Sequence, residues 1–384
     1  MALTALVGPA DDTVIAVTPT LVSGGTVIVD PLGNIIVGPG GFQVDNYSYT
    51  LSLPITKYDS AANLLWTVKT PADFTLHGFT ADSQGNVVAV GTVFSASNDV
   101  ELIKYLPSGA VSWMKTAGGG HSEDGWNVAV GQGDAIVVVG TTDGQLPGQP
   151  ATDSSGGGFE MMFGSDGTLA TTFEYPTVAK LPMINFQLDG AGAAYFFSSM
   201  NSGKTNSSVV KLNADGSLAW NNVVYLQTAF TNARSMAVSP NGSIWWLSDG
   251  FVPSGNDTLV RVDSSTGLAN AYYGHGTRTV VLDPVEGAMW QGSFSSLNAV
   301  TATADAIYVA GRYLNHYANG SNPKPDVTSL FVTKLDLAGT QVWFQQYSVS
   351  TAAPTALLLG AQGQIVVSAS GYVFTIKASD GSLM

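Results

Sequence analysis

The feature that most constrains the fold is a unit of roughly 50 residues that recurs along the whole chain. Its clearest copies contain a glycine turn followed by a strand: DPLGNIIVGP from Asp30, DSQGNVVAVG from Asp82 and SPNGSIWWLS from Ser239. Each copy then continues as strand, turn and strand, for example LIKYLPSGAVSWMK from Leu102. These segments are rich in Val, Ile, Trp and Tyr, are bounded by Gly, Asp and Asn, and lack helical periodicity. The unit therefore predicts four short strands, a to d.

Four strands in roughly 50 residues is the pattern of a β-propeller blade. Strand a begins near Thr26, Gly78, Asn127, Asn185, Ser235, Asn298 and Thr355. We therefore predict an all-β fold, a single β-propeller domain over residues 1–384 with seven four-stranded antiparallel blades. The blades lie near 25–70, 77–117, 126–176, 184–225, 234–276, 296–348, and 354–384 plus 2–8. The stretch between Gly276 and Ser295 looks like one more a–b pair, so eight blades is the alternative.

The two chain ends predict how the ring of blades closes. The last unit stops after DGSLM, where strand d should begin, and the chain starts with ALTALVG. Joined, these ends copy the c–d turn and strand d of DGSLAWNNVVY and DGTLATTFEYP. We expect Ala2 to Val7 to form the missing strand, so that the N-terminal strand completes the C-terminal blade and leaves no open sheet edge.

The pattern DxxGNxxVxG followed by KLDxxGxxxW resembles the bacterial propeller repeats known as SBBP repeats. It is more distantly similar to the tryptophan-docked blades of quinoprotein dehydrogenases. The resemblance covers nearly the whole chain and implies the propeller fold, but no particular activity, because such repeats occur in surface and secreted proteins of unrelated roles. The strand-d tryptophans Trp66, Trp113, Trp220 and Trp343 have no counterpart in units three and five, which disfavours a quinoprotein.

Composition excludes several classes of partner. The formal net charge is −14, with 14 Lys plus Arg against 28 Asp plus Glu, which disfavours nucleic acid and anionic membranes. The chain has no cysteine, so disulfides and thiolate sites are absent. Its longest apolar stretches are of strand length, so no membrane insertion is expected. The N-terminus lacks the basic region of a signal peptide, and the acidic, glycine-rich composition resembles bacterial proteins exported without one. We expect an extracellular, cell-surface or particle-surface location.

The two ends of the blades differ in sequence. In a four-stranded meander the a–b and c–d turns share one face, and the b–c and d–a loops share the other. The turns are short and repetitive, whereas the loops are long and different in each blade, so we expect function on the loop face. All four histidines, including His77, fall in or beside these loops, as does Arg234. The predicted ligand-binding residues are His121, Glu123, Asp124, His275, Arg278, Arg312 and His316.

Two repeated residue types are interpreted as structural. Basic residues occupy nearly the same strand-c position in six units: Lys57, Lys104, Lys211, Arg261, Lys334 and Lys377. We expect their stems to pack between blades and their heads to pair with Asp59, Asp263 and Asp336; the alternative is an anion site. The strand-d tryptophans are likewise expected to pack between blades.

The sequence contains no HExxH, GxSxG, Walker or EF-hand motif, and it predicts no catalytic residue, metal site or cofactor. This favours a non-catalytic extracellular or particle-surface module that presents variable loops for binding or assembly, with carbohydrate or another protein as ligand. A carbohydrate-active hydrolase or lyase at the channel mouth remains an alternative, as does a structural subunit of a larger assembly. Two carboxylates facing each other across roughly 5 to 10 Å would indicate a glycosidase, and a flat apolar patch would indicate assembly.

Overall fold

The structure is a computed structural model that describes residues 3–6, 14–16, 20–21, 26–38, 54–61, 63–94, 97–149, 156–175, 183–199, 207–223, 233–251, 256–275, 281–282, 289–318, 327–348, 353–360, 363–369 and 372–384. The chain forms two compact units. Unit 1 consists of residues 1–22, 225–359 and 363–384, and unit 2 of residues 23–224 and 360–362. The single domain over 1–384 stays a prediction. Among the described residues, no helix has the length and hydropathy that a membrane span requires.

The N-terminal segment, which belongs to unit 1, holds three short strands: β1 (Leu3–Leu6), β2 (Val14–Ala16) and β3 (Thr20–Leu21). Unit 2 then contains four sheets. Blade 1 consists of β4 (Thr26–Val29), β5 (Ile35–Gly38), β6 (Pro54–Tyr58) and β7 (Leu64–Lys69). Blade 2 consists of β8 (Phe74–Ala81), β9 (Val87–Val93), β10 (Asp99–Tyr105) and β11 (Val111–Ala117). Blade 3 consists of β12 (Glu123–Val130), a 3-10 turn (Gln132–Asp134), β13 (Ile136–Thr142), β14 (Gly157–Phe163) and β15 (Leu169–Tyr175). Blade 4 consists of β16 (Met183–Leu188), β17 (Ala194–Ser199), β18 (Ser207–Leu212) and β19 (Leu218–Val223).

Unit 1 contains the remaining three sheets. Blade 5 consists of β20 (Ala233–Val238), β21 (Ile244–Phe251), β22 (Asn256–Val262) and β23 (Ala269–His275). Blade 6 consists of β24 (Val281–Leu282), β25 (Met289–Ala302), β26 (Ala306–Ala318), β27 (Val327–Asp336) and β28 (Gln341–Ser348). Blade 7 consists of β29 (Pro354–Leu359), β30 (Ile365–Ala369) and β31 (Tyr372–Ile376).

The described residues form seven sheets, and within each sheet the strands assigned above to its blade form an antiparallel meander in chain order. This confirms the predicted fold class, a seven-bladed β-propeller. The alternative of eight blades is wrong. Val281 and Leu282 of β24 pair with Trp290 and Met289 of β25. The extra segment is therefore an additional edge strand of blade 6, next to β25.

The N-terminal strand does complete the C-terminal blade, but the predicted segment is wrong. Thr20 and Leu21 of β3 pair antiparallel with Val373 and Tyr372, as strand d of blade 7. The expected segment instead contains β1, which lies parallel to β23 on blade 5, and β2 lies parallel to β28 on blade 6. Spacing explains the difference, because four residues separate β3 from β4, as four separate β7 from β8. Sequence similarity alone pointed to a segment too far upstream.

The core consists of apolar clusters between successive blades of a unit. Strand alternation sends one set of side chains to each side of every blade. In unit 2, for example, Ile36 of blade 1 packs with Phe79 and Ile103 of blade 2. In unit 1, Tyr308 of blade 6 packs with Val367 of blade 7. Stability thus comes from apolar burial between sheets.

Within each unit, strand-d aromatic residues pack against the following blade, as predicted. The indole of Trp66 donates a hydrogen bond to the carbonyl of Pro107 at 2.8 Å, and a Cβ on Gly109 would lie 2.9 Å from its ring. Phe173 of blade 3 takes the same place, since a Cβ on Gly216 would lie 2.0 Å from it. Glycine at these turns makes room for the ring of the preceding blade.

Two of the strand-c lysines, Lys57 and Lys104, form buried ion pairs within the fold, but their partners differ from the prediction. Lys57 Nζ lies 2.8 Å from Asp30 Oδ2, and both side chains are buried; Lys104 Nζ likewise lies 2.8 Å from Asp82 Oδ2. Each lysine also donates to a backbone carbonyl in the turns of the following blade, Lys57 to that of Gly85 at 2.8 Å. These acids begin the a–b turns, not the c–d turns.

The acids expected to pair with the lysines instead cap their own c–d turns. Asp59 accepts the backbone N–H groups of Ala61 and Asn63, and Asp263 and Asp336 accept backbone N–H groups of their turns in the same way. Lys377 is also misplaced in the predicted set. Thr375 pairs with the second residue of its strand b, as Lys57 does, so threonine holds the lysine position in blade 7.

Candidate functional site

Strand a of each of blades 2 to 7 contains a β-bulge. The pairing with strand b skips one or two residues there. A bulge redirects the side chain of the extra residue and is common next to functional sites. We call these the strand-a bulge residues; they are His77, Trp126, Asn185 with Phe186, Arg234, Ser295 with Asn298, and Thr355. Their types differ from blade to blade, whereas the interruption of the pairing between strands a and b recurs.

Two of these residues meet in unit 2. The rings of His77 and Trp126 are stacked, with centroids 4.6 Å apart and an interplanar angle of 18°. His77 Nδ1 lies 2.9 Å from the carbonyl oxygen of Gly125, which can only accept, so Nδ1 carries the proton. Burial lowers the pKa of His77 because it disfavours the charged form. The pair is therefore a neutral imidazole on an indole. His77 lies inside strand β8 and not in a loop.

Other bulges, in both units, carry amide and hydroxyl groups. Asn185 has a φ of 54°, a conformation that asparagine tolerates better than most residues. In unit 1, Asn298 accepts a hydrogen bond from the hydroxyl of Ser296 at 2.6 Å, and the hydroxyls of Thr355 and Ser368 lie 3.0 Å apart. These are neutral groups that both donate and accept hydrogen bonds.

Of the predicted site residues, the structure brings three together between blades 2 and 3 of unit 2. Glu123 is fully buried and accepts the backbone N–H of Gly119 at 3.1 Å and the hydroxyl of Thr142 at 3.3 Å. Asp124 accepts the hydroxyl of Thr92 at 2.9 Å. His121 Nδ1 lies 3.9 Å from Asp143 Oδ1, and both of these side chains are exposed. The carboxylates of Glu123 and Asp124 therefore hold this end of the two blades together through hydrogen bonds. The side chains of His121 and Asp143 are exposed to solvent.

This cluster lacks the geometry of a glycosidase. Asp99 Oδ1 and Glu123 Oε2 lie 1.9 and 2.9 Å from the position of a Cβ on Gly118, so the two carboxylates are side by side. Burial raises the pKa of Glu123, and the charge of Asp99 raises it further. A general acid must lie within reach of the substrate, and Glu123 is closed off from solvent. Within the described part of the chain, no three His, Asp or Glu side chains could hold a metal ion.

The remaining predicted residues belong to unit 1 or lie outside the description. Arg312 lies in β26, opposite Ser296 of β25. His275 is the last residue of β23 and His316 lies in β26, but their side chains are outside the described residues, as is Arg278 entirely. Whether these residues act together stays a prediction.

Comparison with known proteins supports the fold but identifies no family. No protein-family profile matches the chain, and no curated protein sequence matches it, so the SBBP resemblance stays a prediction. Several solved structures are similar. Puromycin hydrolase is 14% identical with a TM-score of 0.52, over 92% of this chain and 51% of that one. Chaetomium thermophilum Raptor is 8% identical with a TM-score of 0.51, over 94% of this chain and 28% of that one.

A streptogramin B lyase is 14% identical over 90% of both chains, with a TM-score of 0.49. The chain is a β-propeller. Puromycin hydrolase and Raptor are no more than 14% identical to this chain, so their similarity establishes the fold and no specific activity.

Sequence reasoning missed the strand-a bulge residues as a set. The sequence analysis gives Trp126 no role and expects His77 in or beside a loop, whereas both residues lie within a strand a. A signal is present in the sequence, because a polar or aromatic residue interrupts the strand pattern in strand a of blades 2 to 7. Only the pairing register shows that these interruptions occupy equivalent positions in six blades.

Proposed function

We propose that the protein is a non-catalytic binding module, extracellular or on a cell or particle surface. Within each of the two units, it binds ligand through that unit's own strand-a bulge residues and the adjoining b–c and d–a loops. Carbohydrate is the ligand class that these side chains fit best, and another protein is the second.

One observation carries this proposal: equivalent backbone bulges in six blades hold six different sets of residues. The turn end behaves oppositely. There, Asp30 and Asp82 make the same bonds to the turn backbone and the same ion pair to a strand-c lysine. A scaffold position repeats because the packing it serves repeats. A position that keeps its backbone geometry and changes its side chain is suited to recognition.

The bulge residues whose side chains are described support a neutral, hydroxyl-rich ligand; the side chain of Arg234 lies outside the described residues. Asn185, Asn298 and Thr355 supply donors and acceptors without charge, and His77 is held in its neutral form beside an indole. Sites for small ligands combine apolar or aromatic surface with a few such polar groups. Sugar rings offer hydroxyls and C–H faces that match both kinds of group.

The test is binding of the purified protein to a glycan array, followed by titration of the best glycan. Asn185→Gly removes an amide while keeping the backbone free to adopt positive φ. Gln84→Ala, at an exposed position of the a–b turn in blade 2, is the matched control. We expect Asn185→Gly to weaken binding at least tenfold with little change in melting temperature, and Gln84→Ala to bind as the native protein does.

Equal loss of binding in both variants, or none in either, would place recognition elsewhere. Recovery of the bound glycan in cleaved form would favour the hydrolase or lyase. A protein that binds no glycan and self-associates instead would favour the structural subunit.

A further inference from the structure

Arg312 occupies an unusual position in blade 6 of unit 1. It lies opposite Ser296, in the short stretch of β25 between two bulges, one between Phe294 and Ser296 and the other between Leu297 and Ala299. Strand alternation puts it on the same face of β26 as Tyr308 and Ala310, whose cluster fills the space between blades 6 and 7. Arg312 thus places a cation at the end of an apolar row on this face of β26. The paired strand β25 has two bulges beside it.

No counter-ion for Arg312 is found among the described residues. Its Nε atom is buried and has no hydrogen-bond partner, and the described ion pairs do not include it. The strands of blades 6 and 7 contain one acid, Asp336, and that residue lies at the opposite, turn end of β27. The sequence of these strands therefore supplies no carboxylate near Arg312.

The other buried cations show what a structural role looks like in this fold. Lys57 and Lys104 each pair with a buried aspartate at 2.8 Å and donate to a backbone carbonyl. A partly buried charge without a counter-ion destabilises the fold. An arginine that has no partner in the protein is therefore expected to pair with an anionic group of a bound molecule. The planar guanidinium matches two oxygens of a carboxylate, phosphate or sulfate.

We propose that Arg312 binds an oxyanion group of the ligand, a carboxylate, phosphate or sulfate. The inference rests on the proposed function, because it takes the oxyanion to be part of the ligand bound at the strand-a bulge residues of the same unit, unit 1. In carbohydrate terms, it points to a sugar that carries one acidic substituent on an otherwise neutral chain.

Thermal unfolding of native protein and Arg312→Met tests this in a chloride buffer without oxyanions. Sodium acetate, phosphate and sulfate are then added separately at matched ionic strength, and the variant corrects for their general effect on stability. Since Arg312→Met removes an uncompensated charge, we expect it to melt higher than the native protein without oxyanions. We expect at least one of the three anions to raise the native melting temperature by more than it raises that of Arg312→Met.

Lys104→Met is the matched control. It should melt lower than the native protein, because Asp82 loses its partner, and should respond to the anions as the native protein does. Arg312→Lys keeps the charge without the planar fork, and a bidentate oxyanion should lose most of its effect on it. The anion that acts identifies the group.

Two results would overturn the proposal. A lower melting temperature of Arg312→Met without oxyanions would mean that the guanidinium pairs with an acid of the protein. Asp283, Glu286 and Asp326, which lie outside the described residues, would then be the candidates. Equal responses of native and Arg312→Met to all three anions would also exclude the site. If Arg312→Met still binds neutral glycans, the proposed function stands in either case. If the native protein responds to an anion but binds no glycan, the oxyanion site at Arg312 is supported and the proposed glycan-binding function is refuted.

Discussion

Glu160 provides the sharpest test of the energetics of this fold. It lies in β14, between Val139 and Phe173 of the neighbouring strands, and is fully buried. Neither carboxyl oxygen has a hydrogen-bond partner among the described residues. The apolar cluster between blades 3 and 4 contains both of those neighbours. Burial raises the pKa of Glu160 from 4.5 to about 7, and the charge of Asp215 contributes to the shift.

The direction of the pH dependence follows from this shift. The folded protein holds the Glu160 proton up to about pH 7, whereas the unfolded chain releases it near its ordinary pKa of 4.5. Folding therefore takes up a proton between these values, and the free energy of unfolding falls as pH rises through that range. Each unit of pKa corresponds to about 1.4 kcal/mol, so the loss amounts to about 3 kcal/mol.

Urea unfolding of native protein and Glu160→Gln at several pH values between 4 and 8 measures this loss. Glutamine keeps the shape of the protonated acid and cannot ionise. We expect equal stability of the two proteins at pH 4 and an advantage of about 3 kcal/mol for the variant at pH 8. Using the difference between the two proteins removes the contributions of Glu101 and Glu123, whose pKa values burial also raises. A constant difference across the range would refute the reasoning, because it would mean that Glu160 has an unshifted pKa.

Three further predictions concern the scaffold. Lys57→Met should lower the free energy of unfolding by about 3 kcal/mol, measured in urea, because it leaves Asp30 buried without its partner; a neutral result would contradict the importance of the pair. Gly216→Ala should destabilise the protein more than Gly363→Ala, measured by melting temperature. Both glycines have positive φ, but the new Cβ would lie 2.0 Å from Phe173 at Gly216 and would meet nothing within 4 Å at Gly363. The strain shared by the two should cost about 1 kcal/mol, and equal effects would count against the close packing of Phe173. Deleting residues 1–22 should cause aggregation detectable by light scattering, since it removes strand d of blade 7 and opens a sheet edge. Deleting residues 1–8 removes only the added outer strand β1, so it should be milder, and the reverse order would restore the original prediction for strand closure.

The sequence was sufficient for the fold because the information is repeated. Each blade must bury the same faces against its neighbours, so the alternation, turn glycines and strand-d aromatics recur and can be averaged over the copies. The closing strand occurs once and could not be averaged. Ala2 to Val7 matches the strand-d pattern in composition, but β3 has the correct distance to the next strand a.

The candidate site was less predictable from the sequence, because its residues differ from blade to blade and cannot be averaged over the copies. Glu123 and Asp124 look like loop acids in sequence, and only the structure shows that their carboxylates accept hydrogen bonds from Gly119, Thr142 and Thr92. The strand-a bulge residues depend on which residue is left out of a pairing register. That choice is made by both strands together and cannot be read from either alone.

Blade 3 shows how the buried ion pair constrains the repeat. Met162 occupies the position of Lys57 and Lys104, since each pairs with the second residue of its strand b. Gly131 occupies the position of Asp30 and Asp82, since each begins the a–b turn with the same backbone hydrogen bond. Both charges are therefore lost in the same blade. Removing one partner of a buried pair costs several kcal/mol, whereas replacing both is close to neutral. The side of blade 3 that faces blade 4 thus lacks the ion pair of blades 1 and 2 and carries the unpartnered carboxyl of Glu160 instead. If unfolding at alkaline pH begins anywhere within unit 2, this energy balance places its start between blades 3 and 4.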